Sequence, residues 1–151
     1  MGINEAFADA IETGDGDEVK RICAEHPELA NAPGWTPPPL HCAVLWNQPE
    51  MAAILLDHGA DIELPDPDRG ATPLRYAIMY ARAGLLPLLI SRGANTGPVV
   101  AGGSTALELA ASAADGEYEE FDDLPRPREY RAIVDRLKEL GVESIQPTGE
   151  S

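Results

Sequence analysis

Aromatic side chains are scarce in this chain. It holds two Phe, two Trp and four Tyr among 151 residues, so a core must be built from Ala, Leu, Ile and Val. Basic residues are few as well: 11 Lys and Arg stand against 26 Asp and Glu, a formal net charge of -15. A nucleic-acid binder draws much of its affinity from neutralising phosphates with Lys and Arg, and an anionic membrane attracts the same residues. The charge balance argues against both partners. Two cysteines, Cys23 and Cys42, are too few for a disulfide scaffold. No basic stretch or long apolar run opens the chain, so neither a signal peptide nor a membrane span is expected. Ala6 stands where myristoylation needs Ser or Thr. These absences point to a reducing, cytoplasmic setting. What is present is a 44% share of hydrophobic residues, too many for a solvated disordered polymer.

Those residues recur at a fixed period. Leu40-His41-Cys42-Ala43, Leu74-Arg75-Tyr76-Ala77 and Leu107-Glu108-Leu109-Ala110 align with leucines 34 and 33 residues apart, and Ala10 lies 33 residues before Ala43. Leu55-Leu56-Asp57-His58-Gly59-Ala60-Asp61 returns as Leu89-Ile90-Ser91-Arg92-Gly93-Ala94-Asn95. Each Gly falls 19 residues after its unit's Leu. A weaker copy, Leu137 to Val142, closes the series. Thr72-Pro73 reads as a helix start, because Thr caps and Pro suits the first helical position. Leu74, Ala77 and Ile78 then share one helical face. Gly59 and Gly93 follow apolar runs, where a helix end needs a left-handed residue.

This pattern resembles the ankyrin repeat, a unit of about 33 residues carrying a T-P-L-H-x-A signature. Thr72 to Ala77 matches it with Arg75 in place of His. Thr36 to Ala43 matches with two extra residues, and Thr105 to Ala110 lacks both Pro and His. The resemblance implies an all-α repeat solenoid of about four stacked units, each a helix–turn–helix joined by β-hairpin loops. The units are read as 3–34, 35–68, 69–103 and 104–143, together one domain over 1–143, with a tail at 144–151. Helix pairs are expected near 3–13 and 17–25, 39–46 and 49–57, 73–81 and 84–91, and 105–114 and 127–140. One unit cannot bury its own apolar face, so neighbours must stack. Glu5, Asp9, Glu12, Asp15, Asp17 and Glu18 give the first unit the polar outer face of a cap. The fourth unit carries about 15 extra residues at 116–128, with Tyr118 and Phe121 inside an acidic run. This insertion reads either as a tolerated loop without fixed structure or as a docking peptide.

No catalytic or metal constellation is apparent. His26, His41 and His58 lack ligand spacing, and His41 occupies the family's structural His position, tying turn to helix. Cys23 and Cys42 fall on apolar faces and read as small core hydrophobes. Ala101-Gly102-Gly103-Ser104 is glycine-rich but has no phosphate-loop Lys. No catalytic residue, metal or cofactor is therefore expected, and the chain is read as a non-enzyme.

The resemblance implies protein binding through hairpin tips and the exposed side of the first, inner helices. Carried over unit by unit, the inner positions are Glu12 and Thr13, Leu45 and Trp46, Met79 and Tyr80, and Ser112 and Ala113. Leu45, Trp46, Met79 and Tyr80 are large for positions that are normally solvated, and Trp and Tyr are enriched in interface hot spots. Between-unit packing of Trp46 and Met79 is the plainer alternative. From Arg69 to Ser104 there is no acid, while Arg69, Arg75, Arg82 and Arg92 give the third unit a local +4. Glu12, Trp35, Leu45, Trp46, Asp68, Arg69, Arg75, Met79, Tyr80, Val100, Ser112, Tyr118 and Phe121 form the expected contact set. The expected partner is a folded protein, met by a non-catalytic interaction module. The alternatives are an accessory subunit of an enzyme encoded nearby and a neutraliser of a basic protein, inhibitor or immunity-like. The last is favoured by electrostatic steering from the -15 charge.

Overall fold

Helix starts and stops follow local chemistry closely. In the computed structural model, which describes residues 2–32, 35, 37–97, 105–116 and 127–142, eight α-helices run in chain order. They are α1 (Ile3–Thr13), α2 (Gly16–Glu25), α3 (Pro39–Leu45), α4 (Pro49–Asp57), α5 (Pro73–Met79), α6 (Leu86–Ser91), α7 (Ala106–Ala114) and α8 (Pro127–Glu139). Short 3-10 turns at Pro27–Asn31 and Ala83–Leu85 precede α3 and α6. Asp15, Thr72 and Thr105 cap α2, α5 and α7 by accepting the backbone N–H three residues on. Thr105 and Glu108 close a reciprocal capping box at 3.1 and 3.0 Å. Pro39, Pro49 and Pro73 each open a helix, where a missing N–H costs nothing. The outer helices α4, α6 and α8 end before Gly59, Gly93 and Gly141, all at φ between 82° and 94°, a region that suits glycine.

The units stack as an array of helix pairs. The inner helices touch in series, α1 on α3, α3 on α5 and α5 on α7, while α2 packs on α4. The seam is apolar: Phe7, Ile11, Val19, Ile22, Ala43, Val44, Met51, Leu55, Ala77, Ile78, Leu85, Leu86, Leu89 and Ile133 are fully buried. Small residues at the inner positions, such as Ala43, Ala77 and Ala110, let neighbouring helices approach. Cys23 and Cys42 are buried thiols in this seam, and burial pushes Cys42 up to about 11.

Three differences from the sequence expectation have physical reasons. Helices α3 and α5 stop one and two residues early, because Asn47 and Ala81 turn left-handed at φ 55° and 53°. The outer helix of the third unit starts as a 3-10 turn and becomes α-helical only at Leu86, with Gly84 and Pro87 weakening its first turns. The loop between α4 and α5 contains no strand. Its tip is closed by the Asp66 N–H on the Ala71 carbonyl (2.9 Å) and the Gly70 N–H on the Asp66 carbonyl (2.9 Å). Among the described residues there is no strand at all. Thr36, the 101–104 tip, the bulk of the insertion and the tail lie outside the described residues, as do Val100, Tyr118 and Phe121.

Neighbouring units are tied by two recurring polar contacts. The last carbonyls of a helix have no partner within it. Here the carbonyl of Glu12, at the end of α1, accepts from Gln48 Nε2 (3.0 Å), and that of Leu45, at the end of α3, accepts from Arg82 Nη2 (2.7 Å). The matching carbonyl of Met79, on α5, accepts from the Tyr130 hydroxyl (2.6 Å). Gln48 and Arg82 each follow their unit's left-handed residue. In the fourth unit a side chain from the outer helix takes over that task. On the loop side, Asn31 bridges the Gly59 carbonyl (2.9 Å) and the Asp61 N–H (2.6 Å), and Glu63 accepts from the Asn95 N–H (2.8 Å).

Candidate protein-interaction surface

The inner-helix positions change character along the array. Glu12 and Thr13 are exposed in the first unit. Leu45, Trp46, Met79 and Tyr80 are half-buried in the second and third, with Trp46, Met79 and Tyr80 resting partly on the core. Ser112 is half-buried and Ala113 is buried beneath Tyr130 of α8. Trp35 is also half-buried and tilts against Phe7 with ring centroids 5.6 Å apart. Each of these large side chains therefore uses part of its surface for packing and offers the remainder outward. Among the described residues, Ile3 is the one large hydrophobic group classed as exposed.

Tyr80 is held by a ladder of rings that starts in the core. His41 is fully buried, and its Nε2 lies 2.7 Å from the Ala71 carbonyl, so it ties its helix to the next unit's turn as the sequence implied. Its ring meets Tyr76 edge-on at 4.8 Å, and Tyr76 meets Tyr80 at 5.6 Å. Burial lowers the His41 pKa, opposed by the Ala71 carbonyl and the Asp66 charge. Its Nδ1 finds no partner among the described residues, which suits a neutral ring.

Asp66 is the feature that sequence reasoning missed. It is 2% exposed, unusual for a carboxylate. Its Oδ1 accepts from the backbone N–H groups of Arg69 (2.5 Å) and Gly70 (3.0 Å), and the Tyr76 hydroxyl lies against the same carboxylate. Burial pushes this carboxyl up, but the hydrogen bonds and the nearby His41 outweigh burial and hold it below the usual carboxylate value. Burial and Asp66 together raise the Tyr76 phenol well above its ordinary range. Asp66 thus fixes the hairpin tip that carries Asp68 and Arg69, both exposed. The signal available in the sequence was an Asp four residues before a Gly, a turn-forming spacing.

The basic patch of the third unit resolves into separate roles. Arg92 pairs with Asp57 of the second unit at 2.8 Å on the surface, an interaction worth roughly 0 to 1 kcal/mol. Arg82 is committed to the Leu45 carbonyl. Arg75 is half-buried and has a partner, and sits at the third position of α5, as His41 does on α3 and Glu108 on α7. Arg69 alone of the four is exposed and unpaired with an acid, and its Nη1 donates to the Tyr80 hydroxyl at 3.3 Å. The structure therefore joins Arg69, Met79 and Tyr80 and sets Leu45 and Trp46 on the adjoining helix end. It does not add Arg75 as a free contact. No group of three or more His, Cys, Asp or Glu residues among those described could hold a metal ion. No described helix is long and apolar enough to cross a membrane.

Comparison with known proteins agrees with the stacking. Residues 40–90 match the family model described as ankyrin repeats (many copies). Over 78 residues the chain is 40% identical to Ankyrin repeat and SOCS box protein 6 of Mus musculus, covering 51% of this chain and 19% of that protein. It is 36% identical over 84 residues to the B-cell lymphoma 3 protein homolog of Mus musculus, 56% of this chain and 18% of the relative. A 39-residue stretch is 59% identical to NF-kappa-B inhibitor alpha of Sus scrofa, 26% of this chain and 12% of the relative. The chain spans less than a fifth of the length of each of these relatives.

Proposed function

The chain is an ankyrin-repeat protein, and from that premise we propose that it is a non-catalytic module that binds a folded protein through its inner-helix face and the Asp68–Arg69 hairpin tip. Ankyrin repeats are protein–protein interaction modules. The observation that carries the finer reading is the row Leu45, Trp46, Met79 and Tyr80. Four large side chains occupy equivalent positions on adjacent helices, each half-buried, where the cap unit has exposed Glu12 and Thr13. Rigid aromatic anchors with one face left to solvent are what interface hot spots are made of. Glu12, Asp68 and Ser112 border the face, Trp35 lies on the rim beside Phe7, and Val100, Tyr118 and Phe121 belong to the proposed contact set by sequence. The units 3–34, 35–68, 69–103 and 104–143 are the proposed repeats.

Pull-down from the native organism with wild-type and Trp46→Ala chains, read by mass spectrometry, tests this reading. It expects a stoichiometric protein retained by the wild type and depleted in the variant. A protein retained equally by both, with the variant folded, removes the inner-face reading. The -15 charge favours one further reading, that the partner is a basic protein which this chain neutralises. Association would then slow steeply as salt is added; a salt-independent association rate removes it. An enzyme partner served as an accessory subunit would instead lose activity when this chain is deleted.

A further inference from the structure

The four arginines of the third unit raise the question of which one is left for a partner. Arg92 is neutralised by Asp57, Arg82 is spent on a backbone carbonyl and Arg75 is engaged. Arg69 reaches from the hairpin tip across to Tyr80 and donates one guanidinium N–H to the phenol oxygen. A phenol that accepts in this way keeps its own proton to donate. The guanidinium keeps four further N–H groups in a planar fork. Two kinds of donor thus converge on one point of the face, with no acceptor between them.

We propose that the Arg69–Tyr80 pair is a carboxylate receptor, which takes a single Asp or Glu side chain of the partner set within an otherwise apolar contact patch. This rests on the inner-face reading above and names the chemistry of its centre. The donors are positioned in advance. Tyr80 stacks on Tyr76, Tyr76 stacks on buried His41, and the turn carrying Arg69 is pinned by Asp66. Preorganised, charge-assisted donors favour a planar carboxylate over a neutral amide. Complementarity also holds locally, because no acid lies between Arg69 and Ser104 to fill the site from within the unit. The apolar surround comes from Met79 and Trp46. The net charge of -15 sets the number of acids: a run of carboxylates on the partner would meet long-range repulsion, whereas one carboxylate interacts within a screening length of about 8 Å.

A random-peptide display library panned on the full chain supplies the probe. The enriched peptide is then titrated against wild type, Arg69→Met, Arg69→Lys, Tyr80→Phe and Trp46→Ala, with a melting curve for each. The expected peptides share one Asp or Glu beside an apolar or aromatic residue. Changing that acid to its amide should weaken binding about tenfold or more, and Arg69→Met should do the same, since hydrogen bonds to charged groups are worth that much. Combining the two changes should add little, which identifies them as partners. Arg69→Lys should fall between, keeping charge but losing the fork, and it decides the matter if Arg69→Met melts early. Peptides without an acid, or additive losses in the cycle, overturn the carboxylate receptor. If Trp46→Ala still abolishes their binding, the inner-face reading survives that result. A library that enriches nothing sensitive to Arg69, Tyr80 or Trp46 overturns both.

Discussion

The first and third units are built to one plan and differ in nearly every detail that bears on binding. In the first, α1 and α2 run 11 and 10 residues, Gly14 takes the left-handed turn at φ 78°, and the inner positions are exposed Glu12 and Thr13. In the third, α5 and α6 run seven and six residues, and Ala81 takes the same turn at φ 53°. That conformation costs an L-residue with a Cβ about 1 to 2 kcal/mol. The third unit also holds the buried carboxylate-bearing tip, the Tyr76–Tyr80 stack and the exposed Arg69. Strain and unusual polar burial concentrate where a surface has been specialised for contact. The plain, acidic first unit closes the array.

The sharpest way to break this comparison is to remove the ring ladder at its root. His41→Ala deletes a fully buried ring, its contact with Tyr76 and its bond to the Ala71 carbonyl. It should cost about 3 kcal/mol of stability, a cavity plus a lost hydrogen bond, read by urea denaturation. A cost below about 1 kcal/mol would mean that the ladder carries no weight.

The inter-unit ties come next. Arg82→Ala strips a charged donor from the Leu45 carbonyl and should cost about 2 kcal/mol, against about 1 for Gln48→Ala, whose neutral amide serves the Glu12 carbonyl. Tyr130→Phe, which leaves the Met79 carbonyl bare, belongs with the smaller value. Equal costs for Arg82 and Gln48 would show that burial and charge do not distinguish the two seams.

The pH dependence follows from His41. Its pKa in the folded chain lies below its ordinary 6.5, so the unfolded chain binds a proton that the folded chain refuses. The stability linked to His41 is full above about pH 6.5 and is lost as pH falls below it toward the folded value. Asp66, with its carboxyl held below 3.8, adds a loss only as pH falls beneath that ordinary value. Melting temperatures of the wild type should drop between pH 7 and pH 5 more than those of His41→Gln. Parallel curves would remove His41 as the cause.

The smallest effect is a pair of opposite signs. Ala81→Gly relieves a left-handed alanine and should stabilise by about 0.5 to 1 kcal/mol, after the entropy that glycine adds to the unfolded chain. Gly14→Ala should destabilise by a similar amount or more, because its new methyl would also approach the Gln48 side chain at 3.3 Å. Like signs for both would contradict the strain assigned to the third unit.

Much of this fold was legible in the sequence. Caps at Thr72 and Thr105, prolines at helix starts and Gly59, Gly93 and Gly141 at helix ends are local signals, and they set boundaries to within a residue or two. His41 was legible because its motif fixes its place. What could not be read were the contacts that depend on a neighbouring unit. The donors to the Glu12, Leu45 and Met79 carbonyls are Gln48, Arg82 and Tyr130, three unlike side chains, the last from a different helix. Asp66 looked like one more surface acid in a chain with 26. Of the candidate face, the positions were legible and the allocation of the arginines was not, since pairing with Asp57 or a carbonyl is decided by stacking.

The central claim is that the second and third units, not the cap, hold the partner. It is tested most directly by the dissociation constant of the purified partner for two double variants, Trp46→Ala with Tyr80→Ala, and Glu12→Ala with Thr13→Ala. The first should weaken binding about a hundredfold or more, as loss of paired aromatic anchors does. The second should stay within about threefold, as for rim positions. Equal losses, or a loss confined to the cap pair, would contradict the account.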